Sequence, residues 1–373
     1  MVLTRILKKI FGEIVRSEST RMYIKSVVSD LGKYEVIQQG DIPILGYSDD
    51  RPFEKYKSVI LFGDHTLSLY RPKAPFLLAT DGIKILQSTI LKRDYLYYLT
   101  QNYIPKSQGY KRHFSLLKQV FVNYSRDSSE QSAIGSLFRT LDDLLASYKD
   151  NLANYQSFKE TMLFKMFPKA GQTVPEIRLD GFDGEWEKSK LKDVAHRVQG
   201  NDGRMDLPTL TISASGGWMD QIDRFSANIA GKEQKNYTLL KKGELSYNHG
   251  NSKLAKYGVV FELQEYEEAL VPKVYHSFRV NQLADSKFIE IMFSTKIPDR
   301  ELGKLISSGA RMDGLLNISF DDFMNISIII PTIKEQQAIG SYFSNLDNLI
   351  NSYQEKISQL RTLKKKLLQD MFI

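Results

Sequence analysis

The chain has 373 residues and no cysteine, which excludes a disulfide scaffold, a thiolate metal site and a thiol nucleophile. Apolar residues make up 42% and charged residues 25%, ordinary values for a globular protein. The formal net charge of +7 permits a polyanionic partner without requiring one. No apolar run reaches the roughly 18 residues of a membrane span. We therefore expect a cytoplasmic protein with no membrane partner.

The first segment, Met1–Val15, places apolar residues at the three- and four-residue spacing of an amphipathic helix, with basic residues among them. It lacks the uninterrupted apolar core and small-residue cleavage site of a signal peptide. We predict a first helix packed on the protein. A helix lying on a membrane surface is the alternative.

Short apolar runs bounded by turn residues predict strands in a first globular part, and a denser run predicts a helix. The strands are expected at 58–62, 76–79 and 83–86, and the helix at 94–100. A second globular part shows the same pattern, with strands at 208–212, 257–261 and 277–280 and a helix at 287–293. The fold class predicted for each part is α+β.

A duplicated segment is the most informative feature. Residues 130–167 recur as residues 335–372 without a gap, at a constant offset of 205 and with 16 identities in 38 positions. Both copies begin with Glu-Gln-x-Ala-Ile-Gly-Ser and end with Met-Phe. Chance similarity between two helices would not keep one register for so long.

Each copy is predicted to be one long helix, about 55–60 Å in length. Apolar residues alternate at spacings of mainly three and four, as along the seam of a coiled coil. The seam positions are Ile134, Phe138, Leu141, Leu145, Tyr148, Leu152, Tyr155, Phe158, Met162 and Met166, and then Ile339, Phe343, Leu346, Ile350, Tyr353, Ile357, Leu360, Leu363, Leu367 and Met371. The two helices could pair antiparallel within the chain. The alternative is that each packs on a separate domain or on another subunit.

The repeat divides the chain into five predicted parts, related by an internal pseudo-twofold repeat. They are a first globular domain at 1–127, a first long helix at 128–168, a linker rich in Gly, Pro and Asp at 169–186, a second globular domain at 187–330 and a second long helix at 331–373.

Sequence signatures of catalysis are missing. The chain has no phosphate-binding loop, no dinucleotide fingerprint, no H-E-x-x-H and no G-x-S-x-G. No two histidines share a metal-ligand spacing, so we predict no metal site, no cofactor and no catalytic residue. The segment with Asp299, Glu301 and Lys304 superficially resembles a nuclease cluster, but it suits the charged start of a helix better.

Loops that mix amide, hydroxyl, basic and aromatic side chains are the candidate binding sites, because these groups can bond base edges and neutralise phosphates. Ordinary solvated loops are the alternative. In the first domain the candidates are Gln38, Gln39, Tyr47, His65, Lys106, Gln108, Tyr110, Lys111 and Arg112. In the second domain they are Asn201, Ser213, Ser215, Asn248, Asn251, Ser252, Lys253 and Arg311.

The repeated helix start, the heptads that follow it and the segment Pro175–Phe182 leading to Trp186 resemble the specificity subunit of type I restriction–modification systems. The first half departs from that pattern. It has no Pro-x-Ile-Arg lead, and residues 126–128 stand where the second copy has 331–333.

The resemblance implies a non-catalytic DNA-binding subunit. Its two target-recognition domains would be separated by two long antiparallel coiled-coil helices, and each domain would recognise one half of an interrupted target in double-stranded DNA. The helices would set the spacer length between the half-sites. The implied protein partners are two DNA adenine methyltransferase subunits and a restriction and translocase subunit. The alternatives are a coiled-coil adaptor that binds proteins and a standalone metal-dependent nuclease using Asp299, Glu301 and Lys304.

Overall fold

The computed structural model describes residues 6–25, 27–109, 111–225, 231–250, 252–306 and 315–372. The chain divides into two compact units. Unit 1 comprises Met1–Asn151 and Tyr353–Ile373, and unit 2 comprises Leu152–Ser352. Each unit is described by itself below.

Unit 1 is built from short strands with few helices between them. Its strands are β1 (Ile6–Ile10), β2 (Arg16–Glu18), β3 (Tyr34–Ile37), β4 (Ile44–Ser48), β5 (Val59–Gly63), β6 (Leu69–Tyr70), β7 (Phe76–Leu78), β8 (Ile83–Gln87) and β9 (Phe121–Ser125). Its helices are α1 (Phe11–Ile14), α2 (Arg93–Asn102) and α3 (Phe114–Leu117), with 3-10 turns at Arg21–Tyr23 and Tyr56–Ser58. The sheets have the strand orders β2-β8-β5-β6, β4-β3-β7 and β1-β9.

Strand β5 lies at the centre of unit 1, and all five of its residues are buried. Successive side chains of a strand point to opposite faces, so β5 contributes to two cores. Ile60 and Phe62 pack in the core that includes α2, whereas Val59 and Leu61 pack with the sheet of β3 and β7. A strand covered on both faces needs an uninterrupted apolar run, which is why 58–62 was predictable.

Unit 2 repeats this plan. Its strands are β10 (Glu187–Lys190), β11 (Ala195–Arg197), β12 (Leu210–Ser213), β13 (Gly217–Asp220), β14 (Thr238–Lys241), β15 (Leu245–Asn248), β16 (Val259–Glu262), β17 (Glu268–Val271), β18 (His276–Val280) and β19 (Ser327–Ile330). Its shorter helices are α5 (Leu191–Val194), α6 (Gln221–Phe225), α7 (Ser286–Ser294), α8 (Asp299–Leu305) and α9 (Phe320–Met324), with a 3-10 helix at Gly231–Asn236. The main sheet has the order β11-β18-β15-β16, and β10 pairs with β19.

Two long helices account for the duplicated segments. The helix α4 (Ser128–Lys165) begins in the residue range of unit 1 and ends in that of unit 2, and α10 (Ile333–Met371) does the reverse. Within unit 1, Asp142 of α4 accepts a hydrogen bond from Lys364 of α10, and the rings of Tyr148 and Tyr353 lie 5.4 Å apart. Within unit 2, Lys159 and Asp347 form an ion pair.

The predicted seam is only partly buried. Ile134, Phe138 and Leu141 of the first copy are buried, and so are the matching Ile339, Phe343 and Leu346. In contrast, the side chains at one repeated position, Phe158 and Leu363, are exposed. The apolar seam predicted from the sequence is therefore not buried at that position.

The mixed class and the predicted strands and helices of the globular parts are confirmed, with boundaries shifted by a few residues. The predicted helix over Met1–Val15 is wrong for its described part. Residues 6–10 form β1, which pairs antiparallel with β9, and only Phe11–Ile14 are helical. Residues 1–5 lie outside the described part of the chain. The apolar spacing of this short segment suits either structure, and in the fold residues 6–10 pair with β9 as a strand.

The segment predicted as a linker makes specific contacts in unit 2. Trp186 is buried in the core, its ring centroid 5.6 Å from that of Phe167, and Ile177 and Leu179 pack against the same core. The Gly, Pro and Asp content predicted its irregular backbone correctly, but not this packing.

Candidate nucleic-acid interface

Asp64 organises the loops at the carboxyl end of β5. Its buried carboxylate accepts the backbone N–H of Phe114 at 2.7 Å, and its backbone carbonyl accepts the N–H of His113 at 2.9 Å. The His113 ring Nε2 accepts the N–H of Gln108, so Nδ1 carries the proton and donates to the Asp64 carbonyl at 3.0 Å. These bonds attach Gln108, His113 and Phe114 to the residue that follows the central strand.

Five of the nine predicted first-domain residues make contacts at this place, namely Gln39, His65, Gln108, Lys111 and Arg112. The amide oxygen of Gln39 accepts the backbone N–H of His65 at 3.2 Å, and Lys111 bonds Gln108 at 3.3 Å. Arg112 lies 3.6 Å from Asp81, whose neighbour Gly82 accepts a backbone bond from Asp64. We call this set the first loop cluster; its members are Gln38, Gln39, His65, Lys106, Gln108, Lys111 and Arg112.

Two of the predicted first-domain residues do not belong to the cluster. Tyr47 lies in β4 opposite Glu35, and its backbone pairs with Ser29. Tyr110 lies outside the described residues. Lys106, Lys111 and Arg112 have exposed side chains, so the cluster presents positive charge to solvent.

His249 takes the corresponding position in unit 2. Ile60 pairs across its sheet with Leu86, and Leu245 pairs with Phe278 at the matching position of the other sheet. Ile60 and Leu245 are therefore equivalent. Four residues later in each chain segment, Asp64 directly after β5 is the counterpart of His249 directly after β15. The buried His249 accepts the backbone N–H of Leu316 at 2.9 Å, and its ring nitrogens lie 2.7 and 2.9 Å from the carbonyl oxygens of Leu316 and Val274. In both units the residue after the central strand thus holds a later segment of the chain.

The predicted second-domain residues form a looser group at the end of β15. The amide of Asn248 donates to the Ile212 carbonyl at 3.2 Å, which places it beside Ser213. Ser213 ends β12 and Ser215 lies in the turn before β13, with their hydroxyls 3.3 Å apart. We call the second loop cluster the residues Ser213, Ser215, Asn248, Ser252 and Lys253, of which Ser252 and Lys253 are exposed.

Asn201 lies with a different set of residues, since its amide donates to the carbonyls of Arg204 and Gln234. Asn251 and Arg311 were also predicted as contacts, and both lie outside the described residues.

The repeated residues at the start of each long helix make equivalent contacts in the two units. The Gln131 amide donates to the carbonyls of Ile90 and Ser125 and accepts the N–H of Lys92, which is the N-cap residue of α2. Gln336 makes the same three bonds in unit 2, with Leu283, Pro331 and Asp285, the last of which is the N-cap of α7. Each glutamine therefore joins the start of a long helix to the helix beside it.

A repeated glycine, Gly135 in α4 and Gly340 in α10, lets each long helix lie close to the neighbouring helix start. A β-carbon at Gly135 would lie 3.0 Å from the backbone nitrogen of Tyr95 in α2. At Gly340 it would lie 3.2 Å from an Asp285 carboxylate oxygen. The repeated Glu-Gln-x-Ala-Ile-Gly-Ser segment was found from the sequence. That its glutamine and glycine hold the long helix against a neighbouring helix is seen only in the contacts of the fold.

Sequence analysis also missed an ion pair in unit 2. Arg178 donates two hydrogen bonds to the Glu335 carboxylate, at 2.8 and 2.7 Å, and a third to the Gly184 carbonyl. Glu335 is 1% exposed. Its counterpart Glu130 accepts a hydrogen bond from Ser125 instead.

The residues of the nuclease alternative lie at a helix start. Asp299 begins α8, burial raises the pKa of its carboxyl, and Glu301 pairs with Lys304 one turn later. Among the described residues, no group of three or more His, Asp or Glu side chains could hold a metal ion.

Comparison with known proteins identifies the second half of the chain. Residues 183–362 match the family profile described as the type I restriction modification DNA specificity domain. These residues therefore resemble that family's DNA specificity domain. The fold is similar to that of the type I restriction–modification S subunit from M. genitalium, with a TM-score of 0.60, 14% identity and coverage of 99% of this chain and 96% of that one.

The HsdS subunit from Thermoanaerobacter tengcongensis is a more distant match, with a TM-score of 0.44, 13% identity and coverage of 98% and 96%. Comparison with curated proteins finds no match. The match to the specificity-domain profile favours DNA sequence recognition over the adaptor and nuclease alternatives. The second loop cluster lies within the matched residues, and the first precedes them. In the part of the chain that the structure describes, no helix is long and apolar enough to cross a membrane.

His276, within the matched residues 183–362, has a lower pKa in the folded protein than in the unfolded chain. Burial lowers the pKa of His276 to about 4, while its Nε2 lies 2.9 Å from the Ile318 carbonyl and its ring stacks on His249 at 4.7 Å. An unfolded histidine binds its proton near pH 6.5. The folded state is therefore favoured fully above pH 6.5, and this contribution is lost as the pH falls from 6.5 toward 4.

We expect this histidine to contribute up to about 3 kcal/mol to the pH dependence of unfolding. Urea unfolding at several pH values should show stability falling below pH 6.5, and His276→Gln should flatten that part of the profile. An unchanged profile in the variant would assign the acid sensitivity to other groups.

Proposed function

We propose that the chain recognises a two-part target in double-stranded DNA, with the first loop cluster contacting one half-site and the second loop cluster the other. The family supplies DNA sequence recognition as the function. The observation that supports two half-sites is the repeated plan of the two units. In unit 1, β1 pairs with β9, the strand that precedes α4, and is followed by the short helix α1. In unit 2, β10 pairs with β19, the strand that precedes α10, and is followed by the short helix α5. The four-stranded sheets of the two units also have matching strand order and register.

The residue types of both clusters suit this role. Glutamine and asparagine amides can bond adenine edges, and Lys111, Arg112 and Lys253 can bond guanine or phosphate. A residue after the central strand holds each cluster in place, so its side chains are presented from a rigid sheet. We propose the predicted domain boundaries, 1–127 and 187–330, as the limits of the two recognition parts.

The long helices are proposed to form an antiparallel coiled coil related by the pseudo-twofold repeat, with a length that sets the spacer between half-sites. The contacts of unit 1 support antiparallel pairing there. As residue numbers rise along α4, those of the partners in α10 and directly after it fall, from Phe138 with Phe372 to Tyr148 with Tyr353. A helix rises about 1.5 Å per residue and duplex DNA about 3.4 Å per base pair. Lengthening both helices by whole heptads should therefore lengthen the spacer.

The proposed protein partners are two copies of a DNA adenine methyltransferase subunit, with a restriction and translocase subunit joining the assembly. Exposed apolar residues support two identical partners. Leu144 and Phe158 lie on one face of α4, and the matching Leu349 and Leu363 of α10 are exposed as well. In this proposal the chain is not an enzyme and uses no cofactor, because the partners carry out the chemistry.

The test is the target sequence of the assembled system. Sequencing of methylated DNA from cells that express the complete system should return two short half-sites at one fixed separation. Lys111→Ala should relax or weaken recognition of one half-site only, by about 1–3 kcal/mol if it contacts a base. Lys118→Ala, a lysine of the same unit outside the cluster, is the control. A single uninterrupted target, or a variant that affects both half-sites equally, would contradict the proposal.

A further inference from the structure

The two units differ sharply in formal charge. Unit 1 has 27 Lys and Arg against 18 Asp and Glu, a net charge of +9. Unit 2 has 24 against 26, a net charge of −2. The modest net charge of the whole chain is thus the sum of a strongly basic unit and a nearly neutral one.

A groove in unit 1 concentrates this positive charge. It has a volume of about 830 Å³ and is bounded by β6 with the residues that follow it, the start of α2 and the first turns of α4. Two acidic residues, Asp94 and Asp143, line it. Its basic residues are Lys57, Arg71, Lys73, Lys92, Arg93 and Arg139.

The arginines and the lysines of the groove differ in their partners. Asp94 lies 3.4 Å from Arg71, 3.7 Å from Arg93 and 3.4 Å from Arg139, and Arg71 also pairs with Asp142 at 3.6 Å. Lys57, Lys73 and Lys92 are exposed, and none of them forms an ion pair with any residue in the described ranges. Three flexible cations are therefore available to an anionic ligand.

The same place in unit 2 has the opposite charge. The register of β15 with β16 makes Glu262 the counterpart of Arg71, and the helix N-caps equate Lys92 with Asp285. Ser344 stands at the repeat position of Arg139. The corresponding cavity of about 470 Å³ contains four carboxylates and one lysine, namely Glu262, Glu265, Glu290, Asp347 and Lys287. A basic groove is therefore not required by the shared fold, and the two places cannot take the same ligand equally well.

We infer that the unit 1 groove binds the phosphate backbone of the DNA beside the half-site recognised by the first loop cluster. This inference rests on the proposed function. The groove shares Leu69 and Tyr70 of β6 with the smaller cavity lined by Gln38 and Gln39 of the cluster. Ser68 and Arg71 are three residue steps apart, which in extended chain is about 10 Å, or roughly three base pairs of duplex.

An acidic protein segment would also suit the charge of the groove. The continuity with the first loop cluster favours DNA, because a duplex held by those loops carries a phosphate every few ångströms along its path. Unit 1 then supplies most of the sequence-independent attraction, whereas unit 2 contributes discrimination with little attraction of its own. Salt should accordingly weaken binding mainly through unit 1.

The test uses the full-length chain and a short random-sequence duplex, because phosphate contacts need no target sequence. The triple variant Lys57→Gln, Lys73→Gln, Lys92→Gln should bind at least about tenfold more weakly at low salt than the unaltered chain. The slope of log affinity against log salt concentration should become shallower by about 2–3. Fluorescence anisotropy over a KCl series measures both, and the thermal unfolding midpoint checks that the exposed substitutions leave the fold intact.

Two control variants make the result specific. Lys188→Gln, Lys192→Gln, Lys334→Gln removes the same charge from exposed lysines of unit 2 that pair with no acidic residue in the described ranges, and it should leave the slope nearly unchanged. Replacing the three groove lysines with arginine keeps the charge and should preserve the slope. An unaltered slope in the groove variant, an equal loss in the unit 2 control, or no binding of the random duplex by the unaltered chain would overturn the inference.

The proposed function is tested separately by selection of preferred sequences from a random pool. If no sequence is preferred while the groove variant still loses salt-dependent affinity, the proposed function fails and the groove assignment stands. If half-sites are selected normally but the groove variant binds as the unaltered chain does, only the groove assignment fails.

Discussion

Glu335→Ala should destabilise unit 2 by about 3–5 kcal/mol, because it leaves the partly buried Arg178 without its carboxylate partner. The pair has two hydrogen bonds of 2.8 and 2.7 Å, and Glu335 is almost fully buried. Bidentate geometry depends on the planar guanidinium, so Arg178→Lys should recover only part of the stability lost in Arg178→Ala. Urea unfolding of the full chain measures these differences.

The matched control is an exposed ion pair of the same segment. Glu176 pairs with Lys165 and Lys169 at the surface, and Glu176→Gln should change stability by less than about 1 kcal/mol. A double-mutant cycle between residues 178 and 335 isolates the interaction. A cycle energy near zero would show that the pair contributes nothing beyond the packing of each side chain.

Phe372→Ala should destabilise unit 1 by about 3–5 kcal/mol, because it empties a site in the core. The Phe372 ring centroid lies 5.2 Å from that of Tyr95 and 6.2 Å from that of Phe138, and only 2% of the residue is exposed. Its backbone carbonyl also accepts a hydrogen bond from the Tyr103 hydroxyl. The repeat places Phe167 in the equivalent core position of unit 2, so Phe167→Ala should have a comparable cost there.

Phe121→Ala removes the same ring from unit 1 at a site that is 58% exposed, and should cost less than about 1 kcal/mol. Chemical denaturation followed by intrinsic fluorescence compares the three variants. If Phe372→Ala were as mild as Phe121→Ala, the end of α10 would not be part of the unit 1 core.

Periodicity and repetition predicted much of the fold. Residues 59–62 are all apolar because β5 is covered on both faces. The offset of 205 located both long helices, which end at Lys165 and Met371, at or just before the repeated Met-Phe pairs. In contrast, the strand at 6–10 was predicted as a helix, because a five-residue segment with central lysines does not distinguish the two periods.

The candidate interface was predictable only in part. Loops rich in amides and cations identified Gln39, His65 and Lys111, and the structure brings these into one cluster. The supporting roles of Asp64 and His249 were missed, because each acts through backbone groups about fifty or more residues away in sequence. Such partners leave no local pattern.

The sequence by itself determined the duplication, the mixed class of the globular parts, the absence of a thiol and the family resemblance, since each depends on residue type and spacing along the chain. Only the tertiary structure decided which charges belong together. Residues 353–373 carry five basic and two acidic residues, and they join unit 1 because the apolar face and the final phenylalanine of α10 pack in its core. A modest +7 thereby becomes a basic unit and a nearly neutral one.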